Sequence, residues 1–262
     1  MVSEPERMGD WVGEDGPRRP GSSALLRDTL RHLVGIFAGT LVVAMAATLH
    51  VPLGWDFVVS AMAIIALIFA FAVRALPGHP HRRFGPANVV TAVRAALVSL
   101  TGAAVLFLHR LDQADAALWT LVAVVLVALA LDGIDGYLAR RFGHTSDFGA
   151  RFDMEVDALL ILILSVAAAL LGKAGAWVML IGLMRYAFVA AQLFLPKLRG
   201  ELFVSFRRKL VCVLQIAALC LVLMPFVEPP YSDGISAFAL LMLIYSFSVD
   251  TVYLLGQPGK PR

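Results

Sequence analysis

The chain has 262 residues, 60% of them hydrophobic, with a mean hydropathy of +0.81. That is too apolar for a soluble globule and reads as a polytopic membrane protein. The formal charge of +3 and pI near 9.1 come from Lys and Arg gathered on one side of the expected membrane, where they meet lipid headgroups and call for no nucleic-acid partner.

In chain order, residues 1–30 are polar and rich in Gly, Pro, Glu and Arg, and are expected to form a disordered or surface-lying cytoplasmic tail. No secretory signal peptide is expected, because the first apolar stretch starts late and leads directly into further spans. Eight apolar runs follow, over 32–50, 55–75, 89–108, 117–139, 148–171, 175–196, 209–228 and 235–255. Each is near the ~20 residues that cross a bilayer, so the expected fold is an all-α polytopic transmembrane bundle. Two accessory helices over 31–76 would precede a catalytic domain over 84–256. Lys and Arg of the tail, of 74–83, 140–141 and 197–209 and of the C-terminus fall on one side, against Arg110 and Lys173 on the other. The positive-inside rule then puts both termini in the cytoplasm. Cys212 and Cys220, eight apart in one apolar run, read as small core residues.

The most informative segment joins the fourth and fifth runs. It carries Asp132, Asp135, Gly136, Ala139, Arg140, Gly149, Asp153 and Asp157. Asp132 and Asp135 are three apart and Asp153 and Asp157 four apart, so each pair lies on one face of its helix. The intervening residues break the helix, with Thr145, Ser146 or Asp147 as N-cap, giving a hairpin whose acidic pairs face each other. An unpaired charge at such a position costs at least roughly 2.5–3.5 kcal/mol, so a cation is required. Carboxylates without Cys or His select Mg²⁺, Mn²⁺ or Ca²⁺ over zinc. Four of them can hold two ions, a pair suited to in-line displacement at phosphorus. Gly136 and Gly149 leave room on the same faces. Arg94, a cation one turn into an apolar helix, needs an anionic partner.

This segment resembles the signature of the CDP-alcohol phosphatidyltransferase family, D-x2-D-G-x2-A-R-x8-G-x3-D-x3-D, with every fixed position filled. The resemblance implies a six-helix catalytic core, a homodimer, and phosphatidyl transfer from CDP-diacylglycerol to a small alcohol with release of CMP. It also implies an integral protein of the bacterial inner membrane. Asp132, Asp135, Asp153 and Asp157 would hold two Mg²⁺ or Mn²⁺ ions, with Asp157 also the general base. Gly136, Ala139, Arg140 and Gly149 would receive the CDP-lipid. Asn88, Thr91 and Ser146 match donor-binding positions more loosely; they serve equally well as helix caps.

For the acceptor, Arg151, Arg185, Arg208 and Lys209 are the candidates, since relatives that use a phosphorylated alcohol bind its phosphate with basic residues at broadly similar places. Pairing of Arg185 with Glu155 or Glu201, and snorkelling of Arg207, Arg208 and Lys209, are the structural alternatives. A phosphorylated polyol is favoured. Ala158 after Asp157 and the run Val211 to Gln215 depart from glycerophosphate-using relatives. Two other readings are a two-metal polyprenyl transferase, against which the D-G-x2-A-R element argues, and a solute transporter, which would show broken helices or paired halves.

Overall fold

The computed structural model describes residues 22–51, 53–76, 83–108, 114–142, 146–200 and 205–256; for 22, 114, 135–142, 196 and 199 it describes the backbone alone. The described residues form eight long helices: α1 (Ser22–His50), α2 (Gly54–Ala75), α3 (Pro86–Leu106), α4 (Ala114–Phe142), α5 (Asp147–Leu170), α6 (Met179–Phe194), α7 (Phe206–Val222) and α8 (Tyr231–Gly256). Short 3₁₀ turns precede and follow α6, over Ala176–Val178 and Pro196–Arg199, and the described residues contain no strand.

The helices follow the eight apolar runs, but α1 starts earlier than expected and α5 and α7 do not qualify as membrane spans on their own. α1 begins at Ser22, so residues 22–30 belong to a helix and not to the polar tail. Leu25 and Thr29 explain this, since both are buried inside the bundle. Six helices, α1 to α4, α6 and α8, are long and apolar enough to cross a membrane, which makes this an integral membrane protein. α5 is long enough at 24 residues, but Asp147, Arg151, Asp153, Glu155 and Asp157 crowd its first half, and α7 has only 17 residues. These are two of the helices that carry the charged site.

Lipid offers apolar side chains no drive to leave it, so membrane helices associate through small residues that admit close packing. α3 follows that rule: Ala92, Ala95, Ala96, Ser99, Thr101, Gly102 and Ala103 are all buried. It packs against α1, α2, α4 and α5, while α5 also contacts α6 and α7. α5 and α6 meet closely at Gly182, where an added Cβ would run into the Leu162 backbone and lie 2.6 Å from Ser165 Oγ. Large side chains such as Val34, Trp55, Phe71 and Phe194 point outward, as a lipid-facing surface requires.

Opposite ends of the bundle carry different chemistry. At one end Lys173 is buried, and its Nζ donates to Pro225 O (3.1 Å), Val227 O (2.9 Å) and Glu228 Oε1 (2.6 Å). This clasp satisfies carbonyls just past the C-terminus of α7. The other end gathers the starts of α1, α3, α5 and α7 around the acidic residues.

Candidate active site

α5 supplies two acids because it starts where its sequence dictates. Ser146 is its N-cap, the Oγ accepting from Gly149 N at 3.0 Å, so that Asp153 and Asp157 fall one turn apart on the face toward α3. α4 delivers Asp132 to the same place. Arg94 of α3, with 1% of its side chain exposed, stands among them. Its Nη1 donates to Asp153 Oδ1 and lies 3.3 Å from Asp132 Oδ1, and its Nη2 donates to Asp157 Oδ1. The guanidinium fork suits this role, since it is always charged and bonds two carboxylates at once.

One guanidinium does not balance three carboxylates. Two negative charges remain in excess, and burying uncompensated charge costs several kcal/mol per ion. Lys209 of α7 offsets part of this, its Nζ lying 4.0 Å from Asp132 Oδ2. Oxygens of Asp132, Asp153 and Asp157 lie within 4.8 Å of one another, a hard-donor set that fits Mg²⁺ or Mn²⁺. Asp135, Gly136, Ala139 and Arg140 occupy the last turns of α4, and their side chains fall outside the described residues.

The entrance to this cluster is shaped by α3 and the first turn of α5. Asn88 is buried, and its Nδ2 donates back to Phe84 O; it is not a helix cap, because the N-cap of α3 is Gly85. A Cβ on Gly149 would sit 2.6 Å from Asn88 Oδ1 and 3.2 Å from Ser146 Oγ, so glycine is what lets the two helix starts touch. Thr91, also buried, bonds the Ala87 carbonyl at 3.1 Å from inside the helix. Asn88 and Ser146, expected from sequence to meet the donor, are thus brought together beside Gly149, with Thr91 one turn along from Asn88.

The cationic candidates divide. Lys209 reaches the acidic cluster. Arg185 of α6 pairs with Glu155, its Nε 3.5 Å from Oε2 and its Nη2 donating to Oε1, the structural alternative weighed for it. Arg208 lies 3.7 Å from Asp250 Oδ1, which also accepts from Arg207, while Arg207 Nη1 donates to Ser246 O at 2.6 Å. Arg151 is exposed on α5. Sequence reading missed Asp250, although an acid inside the apolar run of α8 is a signal of a buried partner. It also took both cysteines as core. Cys220 is buried there, but Cys212 additionally donates its thiol to Asp157 Oδ2 at 3.6 Å.

A family model for CDP-alcohol phosphatidyltransferase matches residues 84–249. The chain belongs to the CDP-alcohol phosphatidyltransferase family. The matched segment runs from the residue before Gly85 into α8 and holds every member of the acidic cluster, whereas α1 and α2 lie outside it. Among curated proteins, two relatives are similar to it over 160 residues at 27% identity. Both are named "Probable phosphatidylglycerophosphate synthase", from Mycobacterium tuberculosis strains CDC 1551 / Oshkosh and ATCC 25618 / H37Rv, and the alignment covers 60% of this chain and 75% of each relative. No solved structure matches the chain. Membership makes this protein a membrane-embedded transferase of phospholipid synthesis.

Proposed function

We propose that the protein transfers a phosphatidyl group from CDP-diacylglycerol to a phosphorylated polyol and releases CMP. The observation that carries this reading is the convergence of Asp132, Asp153 and Asp157 from two helices within 4.8 Å, with negative charge in excess, inside the family segment. Asp132, Asp135, Asp153 and Asp157 would hold two Mg²⁺ or Mn²⁺ ions. When bound, these supply charge to bind the pyrophosphate and offset the charge developing on the departing CMP. Asp157 accepts the proton of the attacking hydroxyl; the bonds from Arg94 and Cys212 fix the orientation of its carboxylate. Gly136, Ala139 and Arg140 receive the nucleotide, with Arg140 on its phosphates.

For the acceptor, Lys209 is the cation best placed to hold a phosphate beside the carboxylates, and the name of the mycobacterial relatives points toward a glycerol phosphate. Arg151, Arg185 and Arg208 remain part of the proposal as residues that guide an anionic acceptor inward. The acidic end faces the cytoplasm of a bacterial inner membrane in this reading. Arg27, Arg31, Arg74, Arg83, Arg207, Arg208 and Lys209 lie at that end against Lys173 at the other, among the described residues. Homodimerisation, expected from the family, belongs to the same proposal.

The test is acceptor competition. With CDP-diacylglycerol fixed, CMP release is compared with glycerol 3-phosphate, inositol phosphate, inositol, serine and choline. A phosphorylated polyol is expected to support turnover, and Lys209→Ala to raise its KM. Turnover confined to an unphosphorylated alcohol would refute the phosphate assignment.

A further inference from the structure

We infer that α1, which lies outside the family segment, acts as a clamp on the active site, and that Asp28 is its positioning residue. The inference rests on the transferase reading above. Asp28 Oδ2 accepts a hydrogen bond from Phe84 N at 2.9 Å, joining two residues 56 apart in sequence. Phe84 is fully buried and stands immediately before the helix cap Gly85, which offers no side chain to the first turn of α3. A buried backbone donor at a helix entrance needs a partner, and α1 provides it. The carbonyl of the same residue accepts from Asn88 Nδ2. Both polar groups of the Phe84 backbone are therefore held, one from α1 and one from α3.

The ring of Phe84 extends the connection. His32, one turn after Asp28, donates from Nδ1 to the Asp28 carbonyl (2.8 Å) and stacks on Phe84 with centroids 6.4 Å apart. Phe84 in turn meets Phe148 at 6.2 Å, and Phe148 stacks on Phe152 at 6.0 Å. Phe152 is the neighbour of Asp153. Asn88 also abuts Gly149 in the first turn of α5. One residue gripped by α1 thus sets where α3 enters the bundle and where α5 begins. Those two helices carry Arg94, Asp153 and Asp157. The geometry of such a cluster is exacting, since a misplacement of about 1 Å can cost ~10²-fold in rate.

The experiment compares Asp28→Ala and Asp28→Asn in the full chain, purified in detergent, by hydrogen exchange of backbone amides and by CMP release. Asn keeps an acceptor oxygen for Phe84 N, and Ala removes it. Expected for Asp28→Ala is faster exchange confined to 84–95 and 146–157, with α7 and α8 unchanged, and a kcat lowered at least about tenfold at little changed donor KM. Asp28→Asn is expected to restore both. Wild-type exchange in those segments, loosening spread evenly over all helices, an unchanged kcat despite local loosening, or an Asp28→Asn variant as impaired as Asp28→Ala would each overturn the clamp. Absence of CMP release from the wild-type protein would instead refute the transferase reading, and the exchange data would still decide whether α1 holds the two helix starts.

Discussion

Arg94 shows how a single side chain organises the site before any ligand arrives. It is nearly inaccessible and touches three carboxylates from two helices. Removing it leaves those charges uncompensated, and breaking a buried pair from one side typically costs about 3–5 kcal/mol. Lysine is not an equivalent, because a point charge cannot fork between Asp153 and Asp157. Arg94→Lys is therefore expected to lower the thermal midpoint measured in detergent, with the loss smaller in Mg²⁺ than in excess chelator, since a bound cation would take over part of the compensation. Equal loss in both conditions would show that the cluster does not take up metal. The convergence of Asp132, Asp153 and Asp157 and the need of Arg94 for an anion were legible in sequence, because helical spacing and the cost of buried charge determine them; the N-cap was narrowed only to Thr145, Ser146 or Asp147, of which Ser146 takes the role. The thiol contact of Cys212 with Asp157 was not, since nothing in a run of apolar residues tells which face of α7 meets α5.

At the scale of elements, the apolar runs located all eight helices, because hydropathy reports the length of each segment directly. The start of α1 was misplaced. Its first turns are amphipathic, and Asp28 and Arg27 make them look like tail, while the buried Leu25 and Thr29 reveal a helix only once α3 is in place. Close helix contacts are equally invisible in sequence. Gly182 looks like any glycine of an apolar run, yet it lets the backbones of α5 and α6 approach until no Cβ fits. Gly182→Val is expected to cost about 1–3 kcal/mol through overpacking, read as a lower thermal midpoint, and to weaken the hold of Arg185 on Glu155 across the same interface. A midpoint equal to wild type would mean that α6 moves aside without loss.

Across the whole molecule, charge is distributed by function. Two of the helices that build the active site, α5 and α7, are those least suited to lie in a bilayer on their own, the first for its charges and the second for its length. α5 is held by α3, which has the largest buried share of the six apolar spans, and α7 by α8 through the pairing of Asp250 with Arg207 and Arg208. The proposed orientation, by contrast, rests on the basic residues that ring the acidic end. Asp132, Asp153 and Asp157 are proposed to perform the transfer together. The most direct measurement is CMP release from CDP-diacylglycerol by purified wild-type protein and by Asp153→Asn, each with Mg²⁺ and with excess chelator. Release that needs Mg²⁺ and falls by about 10²-fold or more in a folded Asp153→Asn variant is the expected result; full release in chelator, or from Asp153→Asn, would contradict it.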